Sequence, residues 1–219
     1  MRYAAPLIVG IVGCAILVAL GVWQVQRLAW KQGILAEIDA RMAADPVPVP
    51  AAPDPDVDRY LPVAEQGEMT GDELHVLVSG VADGAGYRVI AVFEEDGRRL
   101  LVDRGFVPLD AKDAARRTGE MIVTGTLVWP DEVDRWTPEP DLEDNIWFAR
   151  DVPAMAAALG AEPVLIAARS RTDPGVTPLP VDTSTIPNNH LNYAITWFSL
   201  AVVWLAMTGY WMARIRRKA

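Results

Sequence analysis

A histidine stands where the chain enters a long uncharged segment near its C-terminus. His190 follows Asn188 and Asn189, and residues 191–212 carry no charge. A helix of this length, rising 1.5 Å per residue, crosses a hydrocarbon core of about 30 Å. His190 is therefore predicted in the first turn of a transmembrane helix, with Asn188 as its N-cap. The positive end of the helix dipole favours the neutral imidazole, so the predicted chemistry is ligation of a metal, such as haem iron, beside the bilayer.

Aromatic side chains continue along the same predicted helix. Tyr193 and Trp197 follow His190 by three and seven residues, so the three side chains lie near one helix face. Tyr193 and Trp197 are candidates for the walls of a pocket that holds a porphyrin. Trp204 and Trp211 extend the row at seven-residue intervals and are predicted to pack on a neighbouring helix or anchor in the membrane. The alternative explanation is that His190 has no ligand role and stands at the membrane interface because its ring tolerates both water and lipid.

A second uncharged run, residues 3–26, predicts another transmembrane helix near the N-terminus. Trp23 and Arg27 lie on one face at its far end, with Lys31 beside them. Both spans reach the same membrane surface, so these cations are predicted level with His190. Arg27 and Lys31 are therefore candidates to hold the haem propionates, because a guanidinium pairs well with a carboxylate. Trp23 is a further candidate for contact with the ring. The alternative is a cationic belt on phospholipid headgroups.

The elements that must position these residues follow from composition and periodicity. Alternation with a period of two begins after a Pro-rich segment and predicts strands over 75–78, 87–93, 99–102, 120–124 and 164–167. A turn is predicted at 94–97, and a helix over 152–159 that Gly160 ends. The predicted segments are a transmembrane helix at 4–26 with helical periodicity continuing to 44, a Pro-rich linker at 45–59, a β-rich domain at 60–172, a return linker at 173–187, a second transmembrane helix at 188–213 and a basic tail at 214–219.

The predicted fold class is thus an α+β membrane protein, in which two transmembrane helices flank a β-rich, barrel- or sandwich-like extracytoplasmic domain. Few helices accompany the short strands, and the transmembrane segments stand at the two ends of the chain. The competing interpretation of the first segment is a cleaved signal peptide, with residues 19–21 resembling a cleavage site.

Charge predicts the orientation of the chain in the membrane. All 29 acidic residues lie between Glu37 and Asp182, and residues 32–187 carry a net charge of −16. Four cations follow the second span, which predicts a cytoplasmic C-terminus, a cytoplasmic N-terminus and a periplasmic domain. Arg27 and Lys31 count weakly against this orientation. So acidic a domain is a poor candidate for binding nucleic acid.

Other residues that could do chemistry are few. Cys14 is the only cysteine, so the sequence has no disulfide pair, and this residue is predicted to pack as a small apolar group. His75 stands in a predicted strand and is expected to be a packed or surface residue rather than a catalyst. The sequence has no GxSxG, HExxH or P-loop motif, and it does not predict an enzyme.

Three stretches of this chain are distinctive: LGVWQVQRLAWKQGIL at 20–35, LLVDRGFVP at 100–108 and PNNHLNYAITWFSLA at 187–201. They resemble the surfeit locus protein 1 family of membrane assembly factors. The span–domain–span order also matches, so the resemblance extends over nearly the whole chain.

The resemblance implies a role in assembling haem a-containing cytochrome oxidases. It implies haem a as cofactor, with His190 at the position of the proposed iron ligand and Trp197 at that of its nearby tryptophan. The implied partners are oxidase catalytic subunit I, the membrane enzyme that synthesises haem a, and membrane lipid. Asn192 stands where a glutamine is expected, and the segment before Tyr60 is unusually rich in Pro and Asp. The absence of an Arg-rich transit segment favours a bacterial inner-membrane protein.

Two other functions fit the same residues. The first is a haem-free scaffold that stabilises oxidase assembly intermediates, because Trp-rich and small residues also suit helix–helix packing. The second is a receptor that binds a small ligand in its β-domain.

Overall fold

Along the sequence, a β-domain stands between one long helix near the N-terminus and another near the C-terminus. The computed structural model describes residues 4–81 and 84–217. It divides into two compact units. The first unit contains the two long helices, up to residue 37 and from residue 183 onward, and the second contains residues 38–182. The helices are α1 (Ala4–Met42), α2 (Pro55–Asp58), α3 (Val152–Leu159) and α4 (His190–Arg217), and the strands are β1 (Pro62–Val81), β2 (Gly84–Glu95), β3 (Arg98–Pro108), β4 (Gly119–Val128), β5 (Ile146–Trp147) and β6 (Leu165–Ala168).

The β-domain is a closed barrel. Strands follow the order β2-β3-β6-β4-β1, and β1 pairs again with β2, which closes the sheet. Strand β1 is long enough for both roles, since residues 62–69 pair with β4 and residues 68–81 pair with β2. The short β5 adds to β1 in parallel, and β3 pairs with β6 in parallel. The sequence left a barrel and a sandwich open, and the pairing decides for a barrel.

Both faces of β3 are buried, because residues 100–107 are all buried and successive side chains of a strand point to opposite faces. Leu100 and Val102 on β3 belong to an apolar cluster with contributions from all five barrel strands, whereas Leu101 between them belongs to another. The first cluster therefore fills the barrel interior. The second includes Met155 and neighbouring residues of α3, so this helix covers the outer face.

Helix α3 has the bounds that its sequence predicts. Asp151 accepts a hydrogen bond from the backbone N–H of Ala154 at 3.1 Å, which caps the N-terminus. Gly160 ends the helix at φ = 61°, a left-handed conformation that glycine adopts without steric cost. The predicted hairpin turn is also present, since β2 ends at Glu95 and β3 begins at Arg98.

The DRGFVP stretch builds a buried ionic network on β3. Asp103 is 1% exposed and accepts hydrogen bonds from the guanidinium groups of Arg88 and Arg150, the second at 3.4 Å. Arg150 also pairs with the Glu132 carboxylate. A buried carboxylate is tolerated only with such partners, because desolvation of an unpaired charge costs several kcal/mol. The network therefore ties β2 and β3 to the segments before and after β5.

The next residues of this stretch form hydrogen bonds with the segment that follows β6. Arg104 is buried, and its Nε donates to Thr172 Oγ1 at 3.1 Å; burial lowers its pKa. Gly105 has φ = 119°, and a Cβ there would lie 2.1 Å from the carbonyl oxygen of Thr177. Phe106 and Thr177 exchange backbone hydrogen bonds. Glycine at position 105 is thus required by a close backbone approach.

The Glu132–Arg150 pair predicts loss of stability in acid. Burial raises the pKa of Glu132, but hydrogen bonds from Arg150 outweigh it and hold the pKa below the usual 4.5. Because the folded-state pKa is lower than the unfolded one, the charged pair stabilises the fold above about pH 4.5 and loses this contribution as the pH falls through the lowered pKa. We expect the melting temperature of the intact protein to drop less between pH 7 and pH 3.5 in Glu132→Gln than in wild type. Equal drops would contradict this contribution.

Candidate functional site

The two long helices pack against each other in antiparallel directions. Three glycines of α1 lie directly under side chains of α4. A Cβ at these positions would approach the side chain opposite to within 2.3–2.7 Å, and the pairs are Gly10 with Thr208, Gly13 with Trp204, and Gly21 with Phe198. Small residues allow such close approach between transmembrane helices. Trp204 also donates its indole N–H to the carbonyl oxygen of Gly10 at 3.1 Å, so it packs on the first span as predicted.

Both helices are long and apolar enough to cross a membrane. Their bounds are Ala4–Met42 and His190–Arg217, within the ranges that the structure describes. Most of their side chains are exposed outside the contact between them, as expected for surfaces that face lipid. The chain is an α+β protein with two apolar helices that flank a β-domain in sequence.

The glycine contacts predict that the helix pair can be cross-linked. A Cβ built on Gly10 lies 3.1 Å from the Cβ of Thr208, near the 3.5–4.5 Å of a disulfide. In a Cys14→Ser background, Gly10→Cys with Thr208→Cys is expected to form an intramolecular disulfide on mild oxidation, read from gel mobility and intact mass. Adding Gly13→Leu should lower the yield, because its side chain collides with Trp204.

Ala15→Leu is the control for this experiment, since Ala15 is exposed on the same helix. Equal cross-linking yields in Gly13→Leu and Ala15→Leu would contradict close packing at Gly13.

His190 begins α4 and turns its ring toward α1. Its Nδ1 lies 2.7 Å from the side-chain oxygen of Gln24, which is buried. The predicted cap is wrong, because α4 begins at His190, which puts Asn189 at the cap position. The Oδ1 of Asn188 is buried without a hydrogen-bond partner among the described residues. The carbonyl oxygen of Asn189 accepts the first backbone hydrogen bond, from Tyr193 at 3.2 Å.

The other predicted residues fall into two groups. Trp197 lies half-buried in the helix contact, and its indole N–H is buried without a partner in the part of the chain described. Lys31 donates to the carbonyl oxygen of Pro187, next to the start of α4. Tyr193 and Trp23 instead project outward, at 56% and 51% exposure. Arg27 stacks over the ring of Trp30, with its guanidinium carbon 4.2 Å from the ring centroid, and among the described residues it has no ion pair with α4.

Helical spacing gathers the outward residues on one flank of the pair. Trp23, Arg27 and Trp30 each precede by one position a residue that is buried or half-buried on α1. Tyr193 likewise precedes the buried Ala194 on α4. In an antiparallel helix pair, positions that precede the contact residues lie on the same flank. These four exposed side chains, three aromatic and one cationic, are hereafter called the aromatic flank.

The site can offer one imidazole nitrogen, one guanidinium and several aromatic faces to a ligand on the aromatic flank. The spans touch directly, so a flat ring system has no room between them. Lys31 is engaged at the Pro187 carbonyl, which leaves Arg27 as the more accessible cation. The arrangement suits a planar apolar molecule with acidic groups at one edge.

Sequence reasoning missed Gln24, although a signal was present. A glutamine inside an otherwise apolar predicted span is costly and marks a polar contact or a functional site. His75 is buried as expected for a packed residue, with its ring edge-on to Tyr87 at a centroid distance of 6.0 Å. Its Nε2 lies 3.2 Å from the Glu73 carboxylate.

Comparison with known proteins accounts for most of the chain. The SURF1 family model matches residues 11–202, a range that contains all three stretches of the resemblance. Surfeit locus protein 1 of Xenopus tropicalis is 31% identical over 91% of this chain and 72% of its own length. The Homo sapiens protein of the same name is 32% identical over 90% and 73%, and a SURF1-like protein of Monosiga brevicollis 34% over 86% and 80%. The chain therefore belongs to the SURF1 family, known as cytochrome c oxidase assembly factors.

Proposed function

We propose that this chain binds haem a at the membrane surface and aids its insertion into catalytic subunit I of a haem a-containing terminal oxidase. The observation that carries the proposal is the contact between His190 Nδ1 and Gln24. It holds an imidazole at the start of a membrane helix, on a helix pair that carries the aromatic flank. When bound, haem a supplies an iron atom already held by four porphyrin nitrogens, so a single imidazole is a sufficient protein ligand.

The chain's own residues have distinct tasks in this proposal. His190 would ligate the iron, and the guanidinium of Arg27, which stacks over Trp30 in the structure, would pair with a propionate. The ring would lie against Tyr193, Trp23 and the edge of Trp197, and Lys31 would keep the start of α4 beside α1. One protein ligand at a lipid-facing surface holds the cofactor more weakly than a buried pocket with two ligands, which suits transfer to another protein.

The proposed setting is a bacterial inner membrane. Both termini are cytoplasmic and the β-domain is periplasmic, in keeping with the four cations after the second span. In this orientation His190 lies at the periplasmic surface. The haem a-synthesising membrane enzyme would supply the cofactor, and lipid would cover the rest of the aromatic flank. The chain itself has a binding role and is not an enzyme.

Two measurements test the proposal. The intact protein, purified from cells that make haem a, should carry the visible absorption of that haem. Cells that lack the chain should accumulate catalytic subunit I with reduced haem a content. Haem a in the purified protein no higher than in preparations from cells blocked in its synthesis would contradict the binding role.

A haem-free scaffold is the second candidate. The direct packing of glycines against Trp204 and Phe198, with no space between the helices, favours a pair that presents its outer surfaces to another membrane protein. This candidate predicts that the chain co-purifies with catalytic subunit I even when haem a synthesis is abolished. Loss of the association under that condition would favour the haem carrier.

A further inference from the structure

Gln24 is the polar exception on the buried face of α1. Four residues in the described part of this helix are buried, and Gln24 is the polar one, beside Pro6, Gly10 and Gly21. Gly21, one turn earlier, packs against the Phe198 ring and brings the helices close together. The Gln24 carboxamide is therefore confined at the contact rather than free to turn into lipid.

The partner atoms determine where the imidazole proton resides. The side-chain oxygen of Gln24 lies 2.7 Å from His190 Nδ1, and a carbonyl oxygen can only accept a hydrogen bond. Nδ1 must therefore be the donor. A neutral imidazole that is protonated at Nδ1 carries its lone pair on Nε2.

We infer that Gln24 is a positioning residue that holds His190 in the Nδ1-protonated tautomer and presents Nε2 to the iron; this inference rests on the proposed haem-binding function. Histidines that bind metals commonly donate their other ring N–H to a carbonyl or carboxylate, which fixes the ring and increases the basicity of the ligand. The low dielectric of the membrane strengthens such a bond. Gln24 on the first span thus provides the hydrogen-bond acceptor for the Nδ1–H group of His190 on the second span.

The competing explanation is that Gln24 only joins the two helices. Hydrogen bonds between transmembrane helices commonly have this role. A purely adhesive role would affect helix packing but would not alter the electronic properties of a bound haem. The experiment therefore needs one measurement on the haem-free protein and one on the haem itself.

The first measurement determines the tautomer without haem. The full-length chain with ¹⁵N-labelled histidine, in lipid nanodiscs, contains only His75 and His190, and His75→Gln assigns the two signals. We expect His190 to be protonated at Nδ1 in wild type and in the exposed-residue control Gln26→Leu, and to be a mixture of tautomers in Gln24→Leu. A wild-type His190 protonated at Nε2 would overturn the inference, whatever the haem content.

The second measurement uses haem a added to the same proteins. Loss of an outer partner of a metal ligand typically costs 10–100-fold in affinity, so Gln24→Leu should bind haem a about that much more weakly than Gln26→Leu. Gln24→Glu should restore binding and lower the midpoint potential of the haem, because a carboxylate makes the imidazole a stronger donor. The Gly10→Cys and Thr208→Cys cross-link verifies that the helices remain paired in each variant.

The outcomes separate the two claims. Equal affinity in Gln24→Leu and Gln26→Leu would overturn the role of Gln24 and leave the proposed function intact. Failure of wild type to bind haem a would overturn the proposed function together with the ligand role, while a Nδ1-protonated His190 would still support the positioning of the ring by Gln24.

Discussion

His190→Ala is expected to lose haem a while the protein remains folded. Removing the proposed iron ligand should reduce the haem content of the purified protein by at least about tenfold, since the loss of an outer partner alone costs 10–100-fold in metal affinity. The ring's contact with Gln24 is also lost, but the contacts of Gly10 with Thr208 and of Gly13 with Trp204 lie at least 14 residues along α4 from position 190. The measurement is the ratio of haem absorption to protein in samples purified in parallel from cells that make haem a.

The chain provides a matched control for this prediction. His75 is the only other histidine, and it is buried in the β-domain beside Tyr87. His75→Gln should retain the haem content of wild type, provided that its melting temperature shows a folded domain. Equal haem content in wild type and His190→Ala would remove the ligand assignment and leave the scaffold as the better function.

Asp103→Ala is expected to be the most destabilising single change in the β-domain that we consider. Asp103 is almost completely buried and receives the guanidinium groups of Arg88 and Arg150. Removing one partner of a buried ionic network leaves uncompensated charge and costs about 3–5 kcal/mol. That is a large share of the roughly 5–15 kcal/mol by which a domain is stable. The midpoint of urea denaturation of the full-length protein in detergent, followed by near-UV circular dichroism, should fall accordingly.

Two further variants make this prediction specific. Asp113→Ala removes an exposed carboxylate that pairs with Lys112 and should barely move the midpoint. Asp103→Leu combined with Arg88→Met replaces the pair by apolar side chains and should recover part of the loss, because Arg150 keeps its bond to Glu132. A midpoint of Asp103→Ala close to that of Asp113→Ala would show that the network does not stabilise the barrel.

Local patterns predicted most of the elements. Capping residues predicted helix α3 and its end at a glycine. Turn-forming residues predicted the turn between β2 and β3, and the length of the uncharged runs predicted the two apolar helices. The capping prediction at Asn188 failed because both asparagines carry a suitable side chain, and only the start of α4 distinguishes them. Closure of the barrel could not be predicted from local sequence patterns, because it requires β1 to pair with both β4 and β2.

The candidate site shows the same division. The sequence predicted a histidine at the start of an apolar helix and aromatic residues along that helix, because polarity and spacing along one helix are local properties. Which of these residues meet is decided only by packing. Gln24 faces His190 because glycines at positions 10, 13 and 21 draw the helices together in one register, whereas Arg27 and Tyr193 turn away from that contact.

By itself, the sequence determined that two spans enclose a strand-rich acidic domain and that an imidazole lies at the end of one span. These properties depend on hydrophobic length, period and charge, which are read one segment at a time. Only the tertiary structure decided that DRGFVP builds a buried ionic network, that the barrel closes, and that a glutamine of one long helix lies within hydrogen-bond distance of His190 on the other. Each of these depends on atoms far apart in the chain, and their proximity follows from packing rather than from composition.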